Sequence, residues 1–187
     1  MRSFIALDLS PEARGVISEL QKTLRAWVPK ARWTRPEGAH LTLKFLDEIT
    51  SEQQQKITSL LENLAKQYQP LSLALAALGA FPEVSAPRVL WVGVAGGVEL
   101  KRLQQDIEAL LCPLGFPVEK RPFQSHLTVA RLTGERWNPN LQDRYQNLSR
   151  SIPTVCWKAD RLILFRSELG PGGARYSPLS IHEFRNK

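Results

Sequence analysis

The sequence predicts an α+β fold built as two lobes that share one cleft. Short apolar runs of period two, which read as strands, alternate with amphipathic stripes of helical spacing. The phrase His40-Leu41-Thr42-Leu43 returns as His126-Leu127-Thr128-Val129, nearly half the chain away, each time after a helix and a Pro-containing turn. No linker is long or polar enough to separate independent units, so residues 1–187 are expected to form a single bilobal domain.

The elements follow in order. Arg2 to Leu9 alternates as a strand. Ser10-Pro11-Glu12 has the form of a helix start, and Val16, Ile17, Leu20, Leu24 and Trp27 recur at helical spacing before Pro29. Ala31 to Thr34 is a short extended piece, Arg35 to Gly38 a turn, and the first His-Leu-Thr strand runs to about Leu46. Thr50 or Ser51 caps a second helix with Ile57, Leu60, Leu61, Leu64 and Tyr68 on one stripe. Leu71 to Leu78 and Val89 to Val94 read as strands. Val98 to Leu111 reads as a third helix, broken by Gly115 and Pro117. After the second His-Leu-Thr strand, Pro139 suits the start of a weaker helix over Asn140 to Leu148. Val155 to Phe165 and Tyr176 to Phe184 look like closing strands around the turn Gly170-Pro171-Gly172-Gly173.

Composition narrows the class. Hydrophobic residues at 43% argue for a folded globular protein. Phe4-Ile5-Ala6-Leu7 is interrupted by Asp8, so no signal peptide is expected, and no apolar run approaches the ~18 residues of a membrane span. Cys112 and Cys156 form no CxxC and no Cys/His cluster, which argues against a zinc site and for a reducing cytoplasm. The net charge of +7 is spread over the chain without a basic block. It suits a polyanionic partner, and ordinary solubility explains it equally well.

The repeated phrase carries the chemistry. In a strand, His and Thr two residues apart share one face, so Leu41, Leu43, Leu127 and Val129 point together into a core. Two such strands facing each other bring two imidazoles and two hydroxyls to one cleft. Imidazole, with an unperturbed pKa near 6.5, accepts or donates a proton at neutral pH. Opening a cyclic phosphodiester needs both acts, on opposite sides of phosphorus. Thr42 and Thr128 would hydrogen-bond the non-bridging oxygens. A lone His-Leu-Thr on a strand is usually structural; two copies in equivalent settings are not. His182, without such a setting, reads as a surface strand residue. Arg131 lies five past His126, on the opposite face of an ideal strand, unless a bulge near Ala130 returns it to the phosphate. Its alternative is a rim salt bridge. Phe45, at the matching place in the first strand, is either core or a platform for a base. Trp27, Trp33, Trp91, Trp137 and Trp157 read as core or lobe packing.

The paired phrases resemble the two-histidine phosphoesterase superfamily, and most closely its RNA 2′,3′-cyclic phosphodiesterase branch, the 2′-5′ RNA ligase-like proteins. The likeness extends through Arg2 to Asp8, Trp33 to Leu46, Phe81-Pro82, Arg88 to Gly93, Arg121-Pro122-Phe123, His126 to Arg131, Leu164 to Ser167 and Tyr176 to Leu179. It implies two antiparallel sheets facing a central cleft with helices on the outer faces. It further implies His40 as proton donor, His126 as proton acceptor, Thr42, Thr128 and Arg131 on the phosphate, and Phe45 on the base or ribose. The implied reaction hydrolyses RNA 2′,3′-cyclic phosphate ends to 2′-phosphomonoesters with no metal and no nucleotide cofactor, in a protein expected to be a cytoplasmic monomer. Asp47 departs from the pattern, standing where many relatives have Gly. Reversible 2′-5′ ligation and a non-catalytic RNA-end binding module are the competing readings.

Overall fold

The computed structural model describes residues 1–134, 137–170 and 173–185. The chain runs β1 (Arg2–Leu7), α1 (Pro11–Arg25), β2 (Arg32–Trp33), a 3-10 turn (Pro36–Gly38), β3 (Leu41–Glu48), α2 (Ser51–Ala65), β4 (Leu71–Phe81) and β5 (Val89–Ala95). It continues through α3 (Gly97–Leu111), β6 (His126–Arg131), α4 (Pro139–Arg150), β7 (Cys156–Ala159), β8 (Arg161–Gly170) and β9 (Gly173–Glu183). Side-chain caps set three helix starts. The Ala13 N–H donates to Ser10 Oγ, Thr50 and Gln53 form a reciprocal capping box, and the Leu141 N–H donates to Asn138 Oδ1. Among the described residues no helix is long and apolar enough to cross a membrane.

The strands form two antiparallel sheets, ordered β3-β1-β8-β9 and β2-β6-β5-β4-β7. The two halves of the chain are interleaved. Each motif strand lies beside the first strand of its own half, as β3-β1 and β6-β5. The third place is filled by a strand from the other half, β8 beside β1 and β4 beside β5. The helices cross over as well: α1 packs behind β6 and α3 behind β3. Pro178 lies opposite Phe165 on β9, an edge strand, the place in a sheet where proline is tolerated.

Both motif strands carry the same irregularity. In β3 the register steps from Ala6↔Thr42 to Ile5↔Lys44, leaving Leu43 unpaired. In β6 it steps from Trp91↔Thr128 to Leu90↔Ala130, leaving Val129 unpaired. Each is a β-bulge one residue after the motif threonine. Two successive residues therefore turn inward, Leu43 with Lys44 and Val129 with Ala130. The alternation resumes in the opposite phase, and Phe45 and Arg131 emerge on the face that carries the threonines. The bulge near Ala130 that would return Arg131 to the cleft is present, with a twin in β3.

Two expectations are corrected. The run from Val155 to Phe165 is two strands, because the consecutive polar residues Asp160 and Arg161 break its apolar alternation; β7 joins β4 and β8 joins β1. His182 is buried at 7% exposure, since α2 covers that face of β9, and its Nε2 lies 2.9 Å from Ser180 Oγ. Of the turn at 170–173, Pro171 and Gly172 lie outside the described residues.

Candidate active site

A cavity of about 620 Å³ opens between the sheets and is lined by His40, Thr42, Phe45, His126, Thr128 and Arg131 together. All six residues singled out from the sequence thus meet in one place. His40 immediately precedes β3 and His126 opens β6. Each ring is held in the same way: Nδ1 lies 2.7 Å from the carbonyl oxygen two residues back, Gly38 for His40 and Gln124 for His126. A carbonyl only accepts, so Nδ1 carries the proton and donates it. In the neutral form this leaves the lone pair on Nε2 of both rings.

Aromatic walls fix the ring planes. Phe4 stacks on His40 at 4.4 Å between centroids and 25° between planes, and Tyr176 meets it edge-on at 4.8 Å. His126 meets Phe81 edge-on at 4.9 Å and Trp91 at 5.9 Å. Trp91 in turn lies across its strand partner Gly79, where an added Cβ would sit 2.1 Å from the indole. Only glycine allows that approach. Trp91 therefore backs the His126 ring as well as packing on its own sheet.

Polar side chains on the helices brace both motifs from behind. Arg14 donates through one nitrogen to the carbonyls of Pro36, Glu37 and Ala39 at 2.9–3.1 Å, and through the other to the Asp8 carboxylate. This guanidinium ties down the segment that delivers His40. Gln21 on α1 donates to the carbonyls of Thr34 and the bulged Val129 at 2.6 and 3.0 Å. On α3, Glu108 forms a buried ion pair with Lys44, the residue after the β3 bulge. Lys44 also donates to the Pro117 carbonyl at 2.9 Å, and Gln104 to Glu108 at 3.0 Å. None of these braces was anticipated. The signal was available: Gln21, Gln104 and Glu108 are polar residues at positions of an apolar helical stripe, which demand a buried partner.

Burial pushes the His40 pKa down to about 4; the Gly38 carbonyl opposes it, Arg14 adds to it, and Asp8 opposes it weakly. His126 is also lowered, first by burial, against the Gln124 carbonyl and with help from Arg131. The free cleft therefore stores two neutral imidazoles at pH 7. An anion placed between them favours the charged form of each. Arg131 and Arg2 line the cavity and form no ion pair among the described residues, whereas Arg121 is paired with Glu119 at 3.1 Å. Among the described residues no three His, Cys, Asp or Glu side chains cluster as metal ligands.

A family model described as the 2′-5′ RNA ligase superfamily matches residues 7–171. The chain belongs to this superfamily. It is similar to an RNA 2′,3′-cyclic phosphodiesterase of Archaeoglobus fulgidus, 33% identical over 98% of this chain and 100% of that one. It is 32% identical to one of Geobacillus stearothermophilus over 89% of this chain, and spans about half the length of that relative, 52%. Among solved structures, the superfamily chain resembles TT0787 of Thermus thermophilus with a TM-score of 0.83 at 27% identity over the full length of both. It also resembles Escherichia coli LigT complexed with 3′-AMP, with a TM-score of 0.74 at 26% identity, covering 99% of this chain and 98% of that one. The two-sheet α+β fold is shared with these neighbours.

Proposed function

We propose that this superfamily member hydrolyses 2′,3′-cyclic phosphate ends of RNA to 2′-phosphomonoesters. The observation that carries the reading is the twofold arrangement: two imidazoles, each with Nδ1 tied to a carbonyl, on two bulged strands that line one cavity. The names of the relatives agree with it. In the proposed step water attacks phosphorus while His126 takes its proton, and the bond to the ribose 3′-oxygen breaks as His40 supplies a proton to that oxygen. One proton enters and one leaves, so the pair needs only a swap of protons before the next turnover. Thr42, Thr128 and Arg131 hold the non-bridging oxygens, and Arg131 can do so with two parallel N–H groups. Phe45, 67% exposed, offers a ring face to the base. The anion brought by the substrate offsets the burial that keeps His40 neutral, so His40 becomes an acid only in the loaded cleft. Two imidazoles supply both proton transfers, and the reading requires neither a metal nor a nucleotide cofactor. On this reading the whole chain acts as one bilobal domain, a monomer working on RNA ends in the cytoplasm.

End-group analysis of a defined oligonucleotide with a cyclic phosphate end tests the reading. A 2′-phosphate should appear, in EDTA as in its absence, and His40→Ala or His126→Ala should each cost roughly 10²- to 10⁴-fold in kcat. Either variant at the wild-type rate would refute the acid–base pair. A product joined to a 5′-hydroxyl strand would favour ligation, which the same two groups permit in reverse.

A further inference from the structure

We propose that Asp47 reads the hydrogen-bond donors of the terminal base and gives this cleft a preference for guanosine ends; this rests on the reading of the cleft as a site for RNA ends. Asp47 is the one described residue other than glycine with a positive φ, 52°. It follows a second register step in β3, from Phe4↔Phe45 to Ser3↔Asp47, which leaves Leu46 unpaired and buried. Phe45 and Asp47 therefore both line the cavity.

Glycine is the default residue at positive φ. Aspartate is tolerated there chiefly when its short side chain hydrogen-bonds the local backbone. The Asp47 carboxylate makes no hydrogen bond and no ion pair among the described residues, so turn chemistry does not account for it. Nor does phosphate binding, which an acid in a cleft lined by Arg2, Arg121 and Arg131 opposes. A donor on the ligand resolves the conflict.

A base stacked on Phe45 would lie beside this carboxylate, ~7 Å along the strand. A carboxylate accepts through two oxygens and donates nothing. Guanine offers it two adjacent donors, N1–H and the N2 amino group. Adenine and cytosine offer one amino group next to an acceptor, and uracil a single N–H between two carbonyls. Arg2, next to Asp47's strand partner Ser3 and lining the same cavity, is a natural donor to guanine O6.

The test measures turnover of otherwise identical oligonucleotides ending in guanosine, inosine or uridine 2′,3′-cyclic phosphate. Calorimetric binding of guanosine and uridine 2′-monophosphate accompanies it, with wild type, Asp47→Asn and Asp47→Gly. Both substitutions suit positive φ. Wild type should favour guanosine over uridine by roughly tenfold, with inosine, which lacks the N2 amino group, in between. Both variants should lose most of that ratio. An equal rate and affinity for all bases in wild type, or an undiminished ratio in Asp47→Asn and Asp47→Gly, overturns the proposal. Selective binding of guanosine monophosphate by a protein that opens no cyclic end would support the base reading and sink the hydrolysis reading. Normal turnover without base preference does the reverse.

Discussion

Replacing His40 with Asn should make the protein more resistant to mild acid. The Nδ1 donor of His40 is satisfied by Gly38, and an Asn amide can make the same bond, but only the imidazole can take up a proton. Burial holds the folded-state pKa near 4, against 6.5 for the exposed ring. The folded value is the lower one, so the unfolded chain takes the proton first. The stability from the neutral buried ring is therefore complete above 6.5 and is lost as pH falls from 6.5 through about 4. At 1.36 kcal/mol for each pKa unit, the full loss is about 3 kcal/mol. That is a large part of the roughly 5–15 kcal/mol by which a domain is folded. Urea unfolding at about pH 7.5 and about pH 4.5 reads it, with the variant cancelling the carboxylates that titrate in both proteins. Wild type should lose about 2–3 kcal/mol more than His40→Asn between those conditions, and inorganic phosphate in the cleft should narrow the difference. Parallel losses, or an NMR titration of His40 centred near 6.5, would refute the reasoning.

Other perturbations follow from the same geometry. Because both free-cleft imidazoles titrate below the ordinary range, kcat/KM for cyclic-phosphate hydrolysis should peak on the acid side of 6.5 and decline with rising pH, while kcat peaks at higher pH; coincident profiles would contradict the role given to the bound anion. Arg14→Ala should lower kcat by about 10²-fold with a small change in KM, since it frees the carbonyls at 36, 37 and 39 that position His40. Unchanged kcat would remove Arg14 from the positioning of the acid. Lys44→Met alone should destabilise by about 3–5 kcal/mol because it strands the buried Glu108 carboxylate, and Lys44→Met with Glu108→Leu should recover most of the loss in thermal unfolding. Cutting the loop between Phe81 and Val89 should leave the two fragments bound together and each unfolded alone, as size-exclusion and circular dichroism would report.

The motif strands and their helices were legible because their signals are local. A cap at Ser10, a proline at 139 and the doubled His-x-Thr each declare themselves within a few residues. The convergence of the six singled-out residues on one cavity was legible as well, including that of Arg131, whose return to the cleft follows once a bulge is allowed. What stayed hidden depends on partners distant in the chain. Gln21 meets Val129 and Lys44 meets Glu108 only after the halves exchange strands and helices, and Arg14 meets the turn before His40 only once α1 folds back on that turn. The split at Asp160 is of the same kind: an extended run reads as one strand until two sheets compete for its ends. His182 was misjudged because nothing in its own segment says that α2 lies over it.

The exchange of strands also sets a timetable for the ribosome. With only β1 and β3 emerged, the first sheet is a bare two-stranded ribbon, and its third strand arrives with Arg161–Gly170. Nascent chains shorter than that should stay open to protease at the first histidine's strand, and the two histidines share a finished cleft only once β8 has followed.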